Sequence, residues 1–484
     1  MLSLLPDELV VAIAACVLER SLESMLALGS ADKRTRALCK LAMAHVGAWL
    51  HVSGCSAVAE CAVSFPHAPS LAIEAQVTAP MLAAVMRNSR VRNLCVGAVL
   101  ACSRDAKSLL RTLAATKLRS LDVTMWHTQS IGLVTTLEGL TMLSSNARTA
   151  SCLTRITRLR TLRLASCHFI HDISGLAALP SLTSLSLAYC SRLRDISVVS
   201  RLVSLVDLRI ASPMERVRGV GALSALTSLR HLGVIRARVG MRTVARITSL
   251  DSLAIQCALP LHAALDAARA LDLRRFDYEH TGPASPVAPI HHWPFTALKS
   301  VRLSRCDLEC LESLDSLETL VELKLAEIRG MRVLHVRLPR LRILHVYRCS
   351  ELEELHISAL ELRDLQVTSC TLPGLVVSHL TRLERLELMC HAPADLGVLA
   401  PLTALRRLSV FVAGGVRGVE HTARLSSLTD LTVGAFPERN DATLAVIREL
   451  AERAGAMSSV SLTGCSPELA KCVTCPNLHV YPRA

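Results

Sequence analysis

The chain has 484 residues, a net charge of +13 and 51% apolar residues, which excludes a disordered chain. Aromatic residues make up only 3%, so the core must be built from Leu, Val, Ile and Ala, unlike the aromatic-lined pockets of most enzymes. The 18 cysteines do not indicate a disulfide scaffold, because the chain is long and starts without a secretory-type leader. No uncharged stretch is long enough to span a bilayer. We therefore expect a protein of the cytoplasm, or of the nucleus, with no membrane span.

Residues 1–50 are predicted to form a small helical module. Pro6 suits a first helical position, and the acidic residues that follow it favour the positive end of the helix dipole. Leu9, Ile13 and Val17 fall on one face of this helix, and one or two further helical segments complete the module.

This module resembles an F-box in its segment Leu5-Pro6-Asp7-Glu8-Leu9 and in the basic stretch that ends at Leu38. In that family the module binds the adaptor of a cullin-RING ubiquitin ligase. The resemblance implies an adaptor-binding surface made by Leu5, Pro6, Leu9, Val10 and Ile13. The module departs from the family pattern at Thr35, where an aromatic residue is common. The alternative is a helical cap that only covers the first repeat.

A sequence repeat dominates the rest of the chain. Residues 51–90 are predicted to be a junction or N-terminal cap, and repeats follow over residues 91–436. The phrase L-x-x-L-x-L-x-x-C begins at Leu159 and again at Leu182, and it recurs with substitutions at steps of mostly 21 to 25 residues. Such a period predicts a stack of similar units that bury one another's apolar side chains. Within each phrase the last two Leu alternate along a short strand and point into the stack.

These units resemble the repeats of the leucine-rich repeat family. The resemblance implies an α/β solenoid, a horseshoe or arc with a parallel sheet on its concave face and short helical or 3₁₀ turns on its convex face. It also places a small hydrogen-bonding residue where the chain turns after each strand. The cysteines that fall on this position are Cys167, Cys190, Cys306, Cys349, Cys370 and Cys465. We interpret them as buried structural groups, since a buried thiol behaves as a small apolar group.

Three segments interrupt the rhythm. Residues 281–294 contain four prolines and are predicted to form a loop between repeats, and residues 144–152 resemble a smaller insertion. Residues 437–484 are predicted to form a C-terminal helix and a last repeat that caps the stack, with Asp441 as the N-cap of the helix.

A protein partner is expected on the concave face. The candidate binding residues are Arg163, Asp207, Arg209, His231, Arg275, Asp277, Arg302, Glu322, Lys324, His345, Tyr347, Asp364, Arg385, Glu387, Arg407 and Phe411. Their charges are of both signs, and no aromatic stacking platforms accompany the basic residues, so the pattern disfavours nucleic acid as the partner.

No catalytic or phosphate-binding motif is present in the sequence. Zinc ligands could come from Cys465, Cys472, Cys475 and His479, but a second C-x-x-C pair is missing. His168 and His171, beside Asp172, are read as a solvated turn rather than a site. The stretch from His291 to Trp293 could be a binding tip on the proline-rich loop. We expect no catalysis, no metal and no cofactor.

The favoured function is substrate recognition for a ubiquitin ligase. The N-terminal module would bind the adaptor and its cullin, and the concave face would bind the protein to be modified. The alternative is a leucine-rich repeat scaffold or regulatory subunit with no link to a ligase. An extracellular receptor is disfavoured because the chain shows neither a leader nor paired cysteine caps.

Overall fold

The chain divides into two compact units, residues 1–249 and residues 250–484, which we call unit 1 and unit 2. The computed structural model describes residues 50–52, 70–88, 91–100, 103–124, 131–211, 218–235, 241–282, 293–308, 311–370, 377–390, 394–412, 416–417, 421, 425–434, 459–465 and 478–482. The F-box-like module, apart from its last residue, and the predicted helix within 437–456 lie outside these residues.

Unit 1 is built from short strands that pair only in parallel. The strands are β1 (Leu50–Val52), β2 (Ser70–Thr78), β3 (Asn93–Leu100), β4 (Ser120–Thr124), β5 (Gly139–Leu143), β6 (Thr161–Ala165), β7 (Ser184–Ala188), β8 (Asp207–Ala211) and β9 (His231–Ile235). Each pairs with the next one along the chain. The stretch predicted as a junction or cap, residues 51–90, thus carries strands of the same parallel sheet.

The segments that return the chain between these strands are mostly helical. The α-helices are α1 (Ala79–Asn88), α2 (Ser103–Ala114) and α3 (Met241–Val244). The 3₁₀ segments are Ile131–Leu133, Ala150–Leu153, Ser174–Ala178, Ser197–Arg201 and Val220–Ala225. Short helical and 3₁₀ turns were predicted for the side opposite the sheet, and unit 1 confirms them.

Unit 2 repeats this plan. Its strands are β10 (Ser252–Cys257), β11 (Arg275–His280), β12 (Ser300–Ser304), β13 (Glu322–Ala326), β14 (Val333–Val336), β15 (Ile343–Tyr347), β16 (Glu354–Ile357), β17 (Asp364–Cys370), β18 (Arg385–Cys390), β19 (Ala394–Asp395), β20 (Arg407–Val412), β21 (Val416–Arg417), β22 (Asp430–Gly434), β23 (Ser459–Cys465) and β24 (Leu478–Pro482). The parallel sheet runs β10-β11-β12-β13-β15-β17-β18-β20-β22-β23-β24. Helix α4 (Leu261–Ala268) and the 3₁₀ segments Glu312–Ser316 and Leu396–Leu399 lie in return segments. The predicted repeat-built parallel sheet is confirmed in both units.

Two return segments of unit 2 are extended instead of helical. Strands β14 and β16 pair in parallel as a separate small sheet, with His335 opposite His356. In β14 the buried Leu334 and Val336 alternate with the exposed His335, which is the period of a strand and not of a helix. The prediction of helical turns is wrong for these two repeats for this reason.

Ladders of Leu side chains form the core. Leu162, Leu185 and Leu208 lie in register on β6, β7 and β8, and each is at most 2% exposed. Because each Leu packs mainly on its equivalents one repeat away, no repeat can bury its own apolar residues alone.

One cluster of aromatic side chains interrupts the Leu ladders in unit 2. The rings of Phe276 and Phe295 have centroids 5.5 Å apart, and Tyr278 stacks beside Phe276 at 6.3 Å. Trp293 is buried to 2% exposure in this part of unit 2. The interpretation of the stretch ending at Trp293 as a binding tip is therefore wrong for the Trp, which is a core residue; His291 and His292 lie outside the described residues.

Six of the described turns that follow a strand share one geometry. The residue that follows the strand has a positive φ of 51° to 56°, at Ser144, Ser166, Tyr189, Arg305, Glu327 and Arg348. The residue before it has a register partner on the next strand, and the N–H of the left-handed residue donates to the carbonyl of that partner. The N···O distance is 2.5 to 2.8 Å in all six cases. This left-handed residue reverses the chain without leaving a buried N–H unpaired.

Residues 144–152 were predicted to be an insertion, but they begin with the same turn geometry as the other repeats. The prediction of an insertion is therefore wrong. Ser144 has the left-handed conformation, and its N–H donates to the carbonyl of Ala165 at 2.8 Å. The next residue, the buried Ser145, stands where other repeats have Cys, and its hydroxyl accepts the N–H of Ala147 at 3.2 Å. The missing Cys concealed an ordinary repeat turn.

The predicted structural role of the turn cysteines is confirmed at five positions. Cys167, Cys190, Cys306, Cys349 and Cys370 are buried free thiols. Each donates to the carbonyl two residues earlier, at 3.3 to 3.6 Å. Cys167 and Cys190 also donate to carbonyls of the preceding repeat, those of Met142 and Leu164. The hydrogen bond with Cys167, and after it burial, raise the pKa of the Cys190 thiol.

We predict that Leu185→Ala lowers the free energy of unfolding by about 2–5 kcal/mol, because it removes buried apolar volume and leaves a cavity between repeats. The measurement is equilibrium denaturation by urea, followed by circular dichroism. Val203, 62% exposed on a return segment, provides the control: Val203→Ala should change stability by less than about 0.5 kcal/mol. Equal stability of the two variants would contradict the core assignment of Leu185.

We also predict that the five buried turn cysteines react slowly with iodoacetamide in the native protein and rapidly in guanidinium chloride. The reason is that the packed turn keeps the reagent away from a buried sulfur atom, and an inaccessible cysteine is inert. Mass spectrometry after timed alkylation measures each site separately. The half-buried Cys152 is the internal reference and should be alkylated before them. Alkylation of Cys190 at the rate of Cys152 would contradict a packed role.

Candidate partner-binding face of the sheet

The sixteen candidate residues all lie in strands, on the side of the sheet opposite the Leu ladders. We call this side the outer face. Along a strand such as β12, Val301 and Leu303 are buried, whereas Arg302 between them is exposed. The same alternation places the candidates of both units at outer positions of their strands. The sequence thus placed the candidates at outward positions of their strands, and the two units differ in what that face carries.

The outer face of unit 1 is formed largely by small side chains. Its four candidates are Arg163, Asp207, Arg209 and His231. Asp207 accepts a hydrogen bond from Ser184 at 3.4 Å and forms an ion pair with Arg209 at 3.4 Å. A Cβ added at Gly233 would lie 3.4 Å from Cγ of Arg209. The aliphatic part of the Arg209 side chain therefore lies across the neighbouring strand.

The outer face of unit 2 carries the other twelve candidates, and most of its charges are paired within the sheet. Arg275 donates two hydrogen bonds to Asp277, the shorter being 2.9 Å. Arg385 pairs with Glu387 at 3.1 Å, and Arg407 pairs with Asp430 at 3.5 Å. Surface pairs of this kind add little stability, since water screens them. Their effect is to fix long side chains in one arrangement.

Glu322 shows how tightly this arrangement is held. Its carboxylate pairs with Lys324 and accepts a hydrogen bond from Ser300 at 2.8 Å. Burial acts to raise the pKa of Glu322, but the hydrogen bonds from Lys324 and Ser300 outweigh it and hold that pKa below its ordinary value. Glu322 therefore stays ionised, and its charge is already partnered before any ligand arrives.

A hydrogen-bonded cluster lies at the middle of this face, on β15 and β17. The Tyr347 hydroxyl lies 3.2 Å from Nδ1 of His345 and donates to the amide oxygen of Gln366. Gln366 in turn donates to Asp364 at 3.3 Å. His345 is only 9% exposed, although it points to the outer side of its strand. Its neighbours, not the core, cover it.

The cluster leaves one ring nitrogen of His345 without a hydrogen bond. Nε2 lies 3.4 Å from Asp364 and makes an ion pair only when the ring is protonated. Burial, and then the nearby carboxylates of Glu387 and Asp364, raise the pKa of Tyr347, which stays a neutral phenol. The described partners of His345 are a phenol and a carboxylate. The cluster is suited to recognition through hydrogen bonds.

A row of larger side chains borders the cluster. Tyr347, Thr368, Met389 and Phe411 occupy equivalent positions on β15, β17, β18 and β20. Met389 is 39% exposed, and Phe411 is partly exposed. Sequence reasoning missed Met389 and Gln366. Both stand at the same strand offsets as predicted residues, Met389 at that of Phe411 and Gln366 at that of His345, so the repeat register could have found them.

The weaker constellations do not converge into a site. Asp172 accepts hydrogen bonds from the N–H of Ser174 at 2.8 Å and from its hydroxyl at 3.0 Å, which makes it part of a local turn. His171 is exposed beside it and contacts the carbonyl of Phe169. Cys472 and Cys475 lie outside the described residues. Within the described ranges, no group of three or more His, Cys, Asp and Glu is placed to hold a metal ion.

None of the helices in the described part of the chain is both long enough and apolar enough to span a bilayer.

Comparison with known proteins supports the repeats. Residues 157–201 match the family model described as "Leucine Rich repeats (2 copies)". The chain therefore contains leucine-rich repeats, and such domains generally mediate protein–protein interaction. No curated protein matches the chain.

Solved structures with similar folds are repeat proteins of low sequence identity. An internalin, InlF, from Listeria monocytogenes is 19% identical over 74% of this chain and 89% of its own, with a TM-score of 0.39. The LRR protein LIC12759 of Leptospira interrogans is 16% identical over 70% and 90%, with a TM-score of 0.46. TLR13 in its complex with ssRNA13 is 14% identical over 84% and 72%, with a TM-score of 0.47. None of these likenesses identifies what this chain binds.

Proposed function

We propose that this leucine-rich repeat chain acts by binding a protein on the outer face of unit 2, without chemistry of its own. The observation that carries the proposal is the row of Tyr347, Met389 and Phe411 beside the hydrogen-bonded cluster of His345, Tyr347, Gln366 and Asp364. Tyr and Met are among the residues enriched at the centres of protein interfaces, while charged groups form the rim.

The paired charges of this face favour binding because they are ordered in advance. A free Arg or Lys loses rotamer freedom when a partner immobilises it, which costs affinity. Here Arg275, Lys324 and Arg385 are already held by acidic neighbours on their own strands. A partner that meets this face therefore loses less free energy to side-chain ordering.

The signs of the charges favour a protein over a nucleic acid. Carboxylates of Glu322, Asp364, Glu387 and Asp430 alternate with the basic side chains across the face. A phosphate backbone would meet these carboxylates at close range, whereas a protein surface can supply both signs.

The test is site-specific photo-crosslinking with p-benzoylphenylalanine at Met389 or Phe411 in the full chain. Both positions should crosslink the same protein in cell extract, because they stand side by side on β18 and β20. The matched control is Val398, an exposed apolar residue on a return segment of unit 2. Capture of the same protein from Val398 with equal yield would contradict binding by the outer face.

More specifically, we propose that the bound protein is the substrate of a cullin-RING ubiquitin ligase. What supports it is the F-box-like sequence of residues 1–50, with Leu5, Pro6, Leu9, Val10 and Ile13 as the adaptor-binding set. These residues lie outside the described part of the chain. The compartment proposed with it is the cytoplasm or the nucleus. The competing function is a scaffold or regulatory subunit that uses the same outer face without a ligase.

We predict that Leu5→Ala combined with Pro6→Ala abolishes co-purification of the adaptor and cullin, because a few apolar residues carry most of the energy of a small helical interface. The measurement is affinity purification of the tagged full chain with quantitative mass spectrometry. The Met389 crosslink should persist in this variant, since the two surfaces lie on separate elements. If the wild-type chain recovers no adaptor, the ligase proposal fails and the scaffold function stands.

A further inference from the structure

A second surface lies along the edge at which the strands begin. The residue just before each strand donates its N–H to the carbonyl of its equivalent one repeat earlier, from Lys299 to Arg274, Val321 to Lys299 and Arg342 to Val321, at 2.7 to 2.9 Å. Side chains in this row therefore follow one another at about 5 Å, the spacing of strands in a sheet. We call the row the entry edge.

In unit 2 the entry edge contains a groove of about 760 Å³. Four basic residues line it: Arg274, Lys299, Arg340 and Arg342. All four side chains are exposed, and none of them forms an ion pair or a side-chain hydrogen bond with another described residue. A concave surface with one sign of charge concentrates its electrostatic field and attracts ions of the opposite sign.

Several other basic residues of unit 2 do have acidic partners. One repeat further along the entry edge, Arg363 pairs with Glu384 of the following repeat at 3.0 Å. On the outer face, Arg275 and Lys324 likewise have acidic partners. Arg363 has an acidic residue, Glu384, at the equivalent position one repeat on. Arg342 instead has a basic residue, Arg363, at its equivalent position one repeat on. Four cations held together without a counter-charge repel one another, and a bound anion would relieve that repulsion.

The rest of the lining limits the kind of anion. Ala297, Val321 and Pro339 form small apolar surfaces between the basic residues. Glu361, paired with Arg382, adds one carboxylate. A uniformly charged polyanion would meet this carboxylate, whereas a peptide can turn a backbone N–H toward it. No aromatic residue lines the groove, so it lacks the stacking surfaces on which single-stranded nucleic acids bind.

We propose that this groove binds an extended peptide with closely spaced phosphorylated side chains. Alternate side chains of an extended peptide lie about 6.5–7 Å apart on one side, so phosphates spaced along it can reach Arg274 and Lys299 on adjacent repeats and Arg342 two repeats further on. Guanidinium groups bind phosphate through paired, charge-assisted hydrogen bonds, and phosphate carries about twice the charge of a carboxylate. The volume falls within the range of about 300–1,000 Å³ that is usual for ligand sites. The proposal is independent of the partner on the outer face.

The probe is a short fluorescein-labelled peptide with three phosphoserines at alternate positions, and binding to the full chain is measured by fluorescence anisotropy. The groove variant is Arg340→Gln with Arg342→Gln. The matched control, Arg155→Gln with Arg201→Gln, removes the same charge from exposed sites in unit 1. We expect the groove variant to bind at least about tenfold more weakly than the wild-type chain, and the control to stay within about twofold.

A second variant, Lys299→Glu, places a carboxylate between Arg274 and Arg342 and should weaken binding at least as much without removing either arginine. The unphosphorylated peptide should bind at least about tenfold more weakly than the phosphorylated one. Thermal melting of each variant reports its folding, and surface substitutions of this kind should leave it unchanged. Equal losses in the groove and control variants would overturn the proposal, as would equal binding of the unphosphorylated peptide. Tighter binding of a single-stranded oligothymidylate of the same charge, lost in the groove variant, would overturn the peptide in favour of nucleic acid.

Discussion

One hydrogen bond fixes the register of the repeats. In six described turns the N–H of a left-handed residue donates to a carbonyl of the next paired strand, which ties the two strands together at one level. Because these strands are tied at one level, the Leu ladders align inside the stack and the outer positions align in rows. The thiol that follows, as in Cys167 and Cys190, binds the neighbouring carbonyls and fills the space beneath the turn. The turns after β12, β13 and β15 align the strands that carry His345, Tyr347 and Gln366.

The sequence predicted the burial and the outward placement of residues that stand at fixed positions in the repeat phrase. Leu162 and Leu185 stand at fixed offsets from a turn, so their burial follows from counting residues, and so does the outer placement of Arg302 or Glu387. The prediction from sequence failed where an unusual residue occupies a position of the repeat or stands in an unusual context. Ser145 in place of Cys concealed a regular turn, and Trp293 beside a run of prolines suggested an exposed tip when the residue is buried.

The candidate site shows a different limit. The position of His345 within the repeat predicts that it points to the outer side. Its burial depends on Tyr347 and on Gln366 of the next strand, and the local sequence around His345 does not predict these contacts. The same holds for charge. Arg342 and Arg363 occupy equivalent places in their repeats, yet only Arg363 has a partner, because the acid that binds it stands 21 residues later in the chain. Sequence spacing gives the row, and only the structure tells which members of the row are paired.

These two surfaces handle charge in opposite ways, and the difference bears on how each can be used. On the outer face, acids and bases neutralise one another, so the face contributes shape, apolar contact and ordered hydrogen bonds more than net attraction. In the groove at the entry edge of unit 2, Arg274, Lys299, Arg340 and Arg342 have no described partners, which yields long-range attraction that depends on salt. Neither set of side chains takes part in the Leu ladders or in the turn hydrogen bonds. Since the fold depends on the buried positions and the turns, substitutions at outer and edge positions can change what the chain binds while the stack that presents them stays intact.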